Sequence, residues 1–348
     1  MKEEPDTESE LIDIGEPSFE EWNEYALEQG WGDGMPMHVP TEKAVARLVE
    51  VCRGDNEPFA AVSPRLIVPT MQSLAANAVM AGCKPEYFPV VTAALRAVLH
   101  PDYNLHGTLA TTHPCAPMLM VSGPIRKELN INCGSNCFGQ GWRANATIGR
   151  ALQLILNNVG GAKPGEMDRA THGSPAKFAY CFGENEEESP WEPYHVRRGF
   201  NAKDSIVTAM AAEPPHNIND HGSTSAEGLL TTIAGAIAQP GSNNIYGKGP
   251  MIIVIGPEHA QTIYRDGWKS IADLQQEIWK RSRVHVSRVS AENRASYEGS
   301  GHKVKDDHFH LTPTPQDMHI VVAGGPGKHS AWMPSFGGTM VNSIRIKQ

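Results

Sequence analysis

The densest chemistry in this 348-residue chain lies between residues 168 and 195. The run FAYCFGENEEESPWEPY (178–194) holds Cys181, Glu184, Asn185, Glu186, Glu187, Glu188 and Trp191. It follows the polar segment DRATHGS (168–174), with His172, and is closed by His195. No helical or strand period fits it. Carboxylate runs are ordinarily solvated faces. Here Pro190 and Pro193 stiffen the run, and Phe178, Tyr180, Phe182, Trp191 and Tyr194 can anchor it, so it reads as an ordered loop over a polar pocket. Two further loops offer imidazoles: HPDYNLHGTLATTHPCAP carries His100, His106, His113 and Cys115, and PPHNINDHGSTSAEG (214–228) carries His216, Asp220 and His221. Convergence of His113, Glu184 and His221 would give a divalent metal ion two imidazoles and a carboxylate, with positions left for water or substrate. Glu186 would then serve as general base. The local alternative leaves Glu184 and Glu186 solvated, packs His113 at its proline turn and has His221 cap a helix.

Thiols supply a second chemistry. Cys133 and Cys137 form a C-x3-C pair in a glycine-containing turn, which permits the short Cα separation of a disulfide on oxidation. A lone C-x3-C with no second pair argues against structural zinc. Cys115, at a strand entrance, is the other candidate thiolate. Near the carboxyl end GGPGKHSAWMPSFGG resembles a glycine-rich anion loop, with Lys328, His329 and Ser330 as substrate or anion contacts. It is not a Walker A motif, and the chain lacks the full dinucleotide fingerprint.

The elements that must position these groups are legible as helical stripes and short apolar runs. Ser18 with Glu21 forms a capping box ahead of Trp22, Tyr25 and Leu27, and Thr41 caps a helix whose stripe is Ala44, Val45, Leu48, Val49 and Cys52. Residues 70–99 read as two buried helices, and helices follow at about 145–158, 226–238 and 270–283. Residues 290–316 read as a polar connector. The runs PMLMVSGP (117–124), PMIIVIGP (250–257) and HIVVAGGP (319–326) each end in Gly-Pro and read as buried strands of a parallel or mixed sheet with flanking helices, an α/β fold. The order helix, proline, asparagine loop, strand, Gly-Pro occurs around 90–125 and again around 228–258. It predicts two related lobes, 18–200 and 201–348, behind a flexible acidic tail, 1–17. Ligand crevices in open α/β sheets lie beyond the carboxyl ends of the strands. That places Ile125-Arg126-Lys127, Glu258-His259 and Gly327–Ser330 on one rim.

Composition narrows the function classes. The net charge is −9, with acids concentrated at the start of the chain and no basic stripe, which argues against nucleic acid as a partner. Six cysteines in a chain this long do not make a disulfide scaffold. With no signal peptide and no apolar run near membrane-spanning length, the expectation is a reduced, cytoplasmic protein off the membrane.

Several stretches, GWGDGMPMHVPTEKAV, ANAVMAGCKPEYFPVV, ANATIGRALQLILNNVGG, CFGENEEESPWEPYHV, DHGSTSAEGLLTTIAG and GGPGKHSAWMPSFG, resemble a bacterial family of poorly characterised proteins associated with UGSC-type (seleno)protein domains. The resemblance spans most of the chain. It implies a redox or thiol-linked enzyme whose Sec/Cys-Gly-Ser-Cys partner supplies reducing chemistry. This chain has no such motif; its nearest pair is Cys133-Gly134-Ser135-Asn136-Cys137. Three readings therefore stand side by side. They are a metal-assisted small-molecule enzyme, a thiol redox enzyme or substrate-binding component with a UGSC-type partner, and a non-catalytic assembly protein. A homo-oligomer fits all three.

Overall fold

The computed structural model describes residues 11–347, and each of the three apolar runs ending in Gly-Pro is a strand within it. In chain order the strands are β1 (Ala116–Ser122), β2 (Cys181–Gly183), β3 (Ile206–Ala212), β4 (His216–Asn219), β5 (Met251–Ile255), β6 (Arg283–His285), β7 (His308–His310), β8 (Met318–Val322), β9 (His329–Pro334) and β10 (Asn342–Arg345). Two four-stranded mixed sheets result, ordered β10-β3-β1-β2 and β4-β9-β5-β8, while β6 and β7 form a separate ribbon.

The central strands are apolar throughout because both faces are covered, and their two-residue alternation divides each strand between two cores. From β1, Leu119 and Val121 turn toward the helices Met71–Met80, Phe88–Leu99 and Arg143–Asn158, whereas Met118 and Met120 turn toward the other sheet. From β5, Ile253 and Ile255 meet the helices Ala226–Ile237, Pro257–Arg265 and Ile271–Arg281, whereas Ile252 and Val254 meet the first sheet. The layers are thus helices, sheet, sheet, helices. Each fully buried side chain of this size contributes about 1.5–3 kcal/mol, so a charged residue at Met120 or Val254 would part the sheets.

The two halves repeat one plan. β1 and β5 hold the same place in their sheets, parallel to β2 and β8 and antiparallel to β3 and β9. The fourth strand of each sheet is exchanged: β4 leaves the first half to pair with β9, and β10 leaves the second to pair with β3. The repeat expected from the Gly-Pro endings is therefore present, with β8 corresponding to β2 rather than to β1. The sheets do not divide at residue 200, since β3 and β10 both lie beyond it and belong to the first sheet.

The same close approach recurs at both strand ends. A Cβ on Gly123 would sit 2.1 Å from the carbonyl oxygen of Asp204, and a Cβ on Gly256 would sit 2.1 Å from that of His329. Glycine is required there by space. Expected caps are present: the Ser18–Glu21 box opens the helix Phe19–Glu28, and Thr41 accepts from Ala44 N ahead of Glu42–Val51. The segment expected to be a polar connector, residues 290–316, is structured: besides β7 it holds a helix, Ala291–Gly299, capped by Ser290. That helix buries only Tyr297, too little to leave an apolar stripe in the sequence. Of the acidic tail, residues 1–10 lie outside the described ones; residues 11–17 carry no helix or strand, and Ile14 packs against the first helical core. Among the described residues no helix is long and apolar enough to cross a membrane.

Candidate metal centre

β2 ends at Gly183, and the carboxylate run leaves it at the carboxyl ends of the parallel pair β1 and β2. Glu184 extends the ladder through its N–H to Val121 O at 3.0 Å, and Asn185 crosses to the other half, donating to Val322 O and, through Nδ2, to Gly324 O. After Pro190 and Pro193 the short helix Tyr194–Arg197 turns the chain back over the strand ends. Glu184, Glu186 and His195 are thereby gathered, with one ligand atom of each lying within 4.8 Å of the others.

Each member is held differently. Glu184 is 1% exposed; Ser122 Oγ donates to its Oε2 at 2.7 Å and Tyr194 N to its Oε1 at 2.8 Å. Burial outweighs those two bonds and pushes its pKa up to about 7. Glu186 accepts from Gly123 N at 2.5 Å and pairs with Arg126 Nη2 at 2.9 Å. Arg126, itself buried, also donates from Nε to Gly123 O, from Nη1 to Glu184 O, and in a two-pronged pair to Glu187. Burial would raise the Glu187 carboxyl, but the Arg126 and Lys127 hydrogen bonds prevail and hold it down to about 2. His195 is 0% exposed, and neither ring nitrogen has a hydrogen-bond partner; Nδ1 lies 3.8 Å from Glu186 Oε1.

That last observation makes the donor set fit a cation. A buried polar group left unpaired costs about 1–3 kcal/mol, and native proteins rarely leave one. With Glu184 ionised, three carboxylates are matched by Arg126, Lys127 and Arg197, which acts on Glu184, so the unpartnered imidazole rather than excess charge carries the case for an ion. One imidazole and two carboxylates form a mixed nitrogen and oxygen set suited to zinc, manganese or ferrous iron.

The other residues singled out from sequence go elsewhere. His113 and His221 are not members of this group, and the imidazole in it is His195 instead. His113 lies at the start of β1, where its Nε2 is 2.9 Å from Glu213 Oε1, and His216 approaches the other oxygen at 3.3 Å. Burial would raise Glu213, but the bonds from His113 and His216 hold it down to about 2. His221 meets His329. Lys328 Nζ donates to His221 O at 3.1 Å, and Ser330 Oγ is taken up by His259 Nδ1 and Gly256 N, so these side chains serve local contacts rather than an open anion loop. Cys115 is buried with its thiol pushed up to about 12, and burial does the same to Cys137 inside the intersheet core. Cys133 is the one partly exposed cysteine, its Sγ 3.7 Å from Arg126 Nη1; burial raises its pKa too.

Arg126 was legible as a residue just beyond a Gly-Pro strand end, and His195 as the closing residue of the carboxylate run. Ser122 gave no signal, because nothing local distinguishes a strand-end serine that meets a carboxylate 62 residues away. No protein-family model matches the chain, and no curated protein is similar to it.

Proposed function

We propose that this protein is a small-molecule enzyme working through a divalent ion held by Glu184, Glu186 and His195. The observation that carries the proposal is the fully buried His195 ring, unpartnered at both nitrogens beside two carboxylates. Bound there, the ion would supply Lewis-acid polarisation of a substrate oxygen or of water. Arg126 and Gly123 N hold the Glu186 carboxylate in place beside His195. Glu184, with a pKa near neutral and the Ser122 hydroxyl on it, must lose its proton before it can act as a ligand, so the ion is held more tightly as pH rises through about 7. Glu187, 44% exposed, and the partly exposed Cys133 are the more open side chains beside the centre. The reaction class supported is metal-assisted hydrolysis or elimination. Elemental analysis of protein purified without a polyhistidine tag tests this. Near-stoichiometric divalent metal is expected in His221→Ala and in His113→Ala/His221→Ala, with loss in His195→Ala/His221→Ala, the shared His221→Ala change removing the exposed His221–His329 pair as a second ligand set. Retention in His195→Ala/His221→Ala, or none in His221→Ala after incubation with zinc or manganese, overturns the proposal.

A second reading rests on Cys133, the least buried thiol, whose sulfur shares Arg126 with the carboxylates. Oxidation of Cys133 and Cys137 to a disulfide would deliver two electrons and two protons to a substrate, and the thiols of a UGSC-type partner would restore the pair. All six cysteines are free thiols, in keeping with a reducing, cytoplasmic setting. Thiol titration after mild oxidant is the test: two thiols disappear in wild type but not in Cys133→Ser, and equal loss in both contradicts this reading.

A further inference from the structure

Away from the carboxylate centre, where β4 and β9 pair at the edge of the second sheet, two exposed histidines meet tip to tip. The Nε2 atoms of His221 and His329 are 3.2 Å apart, with the ring planes at 80°. We propose that this pair is a separate, solvent-facing site for a divalent transition ion of the zinc, nickel and copper class.

The spacing is the first argument. Two imidazole nitrogens bound to one tetrahedral ion at about 2.0–2.1 Å stand about 3.3–3.4 Å apart, close to the separation seen here. The second argument is orientation. The ladder places Asn219 opposite His329 and Asn217 opposite Ala331, so the two-residue period puts Asn217 and Asn219 on the same side as His329, and the bend after β4 brings His221 to it. Asn217 Oδ1 lies 3.0 Å from His329 Nδ1. An amide oxygen only accepts, so Nδ1 carries the proton and Nε2 presents its lone pair toward His221. Such an outer partner is how metal-binding histidines are commonly fixed.

The backbone beneath is braced independently of any ion. Asp220 donates its N–H to Lys328 O at 3.3 Å and Lys328 Nζ returns to His221 O, tying the two loops together. The Asp220 carboxylate is spent on Ser223 N and Thr232 Oγ1, and buried His259 bridges Asp220 O and Ser330 Oγ. These groups hold the histidines in place without supplying a third ligand, so water or an outside ligand fills the remaining positions. Lys328 also sets an ammonium beside the site, which biases it toward ions that bind imidazole strongly rather than toward magnesium or calcium.

The test is titration of the full-length, untagged protein with nickel ion by calorimetry, alongside His221→Ala, His329→Ala, Asn217→Ala and the carboxylate-centre variant His195→Ala. The expected result is a binding event absent from both His221→Ala and His329→Ala. It should be about tenfold weaker in Asn217→Ala, as for loss of an outer partner, and unchanged in His195→Ala. Because His221, His329 and Asn217 are exposed, circular dichroism should be native in those three variants. Survival of the nickel event of His195→Ala when His221→Ala or His329→Ala is added to it, or no event in His195→Ala, overturns the proposal. Failure of the carboxylate centre to bind metal would leave this result intact.

Discussion

Replacing Glu184 by Gln removes a titrating charge while leaving an amide that can still accept from Tyr194 N and donate toward Ser122 Oγ, so the change isolates the cost of ionising a buried carboxyl. In the native protein the group holds its proton until about pH 7, against an ordinary value of 4.5. The unfolded chain therefore releases this proton first as pH rises. The group's contribution to stability is fully present below about 4.5, declines between 4.5 and 7, and is lost above 7. At about 1.4 kcal/mol per pH unit, the difference amounts to about 3 kcal/mol at pH 8. Glutamine does not titrate. In chelator, the Gln variant should therefore gain about 2–3 kcal/mol on wild type between pH 4.5 and pH 8, read as a pH-dependent separation of urea midpoints followed by tryptophan fluorescence. Excess zinc should reverse the order at pH 8, because only wild type gains the free energy of ion binding at the carboxylate centre, any binding at His221 and His329 being common to both. A constant difference between the two proteins across that range in chelator would show that Glu184 is not a strained buried acid, and the reasoning would fail.

The paired glycines give a test of the repeat: Gly123→Ala and Gly256→Ala each force a Cβ to 2.1 Å from a carbonyl oxygen, so both should destabilise by more than about 2 kcal/mol, whereas Gly54→Ala, with open space and no left-handed backbone, should cost under about 1. Urea midpoints of the three variants decide it, and a mild effect at either Gly123 or Gly256 would count against the close approach. Glu213 carries the opposite sign to Glu184. Held down to about 2 by His113 and His216, it stabilises the fold above the ordinary carboxylate range and loses that contribution as pH falls toward 2. Glu213→Gln should cost about 1–2 kcal/mol at pH 7 once solvent screening of this partly exposed group is allowed for, and less at pH 3; a cost that grows on acidification would refute the pairing.

What could be read from the chain followed the range of the interactions. Helix starts were legible because Ser18, Thr41 and Ser225 bond to N–H groups three residues ahead, and β1, β5 and β8 were legible because burial on both faces leaves unbroken apolar runs. The exchanged strands were not, since HNIN and NSIR are short, polar edge segments with no apolar period. The carboxylate loop was legible as ordered because its prolines and aromatics are local. Its imidazole was misassigned because His113 finds Glu213 at a separation of 100 residues and His221 finds His329 at 108, pairings that no local spacing announces.

Anomalous diffraction at the zinc edge from crystals of the untagged protein grown with zinc bears most directly on the central claim. The account predicts a peak bonded to a nitrogen of His195 and to oxygens of Glu184 and Glu186, at about 2.0–2.2 Å. A carboxylate centre without a peak, with His195 still unpartnered or turned to another group, would contradict it.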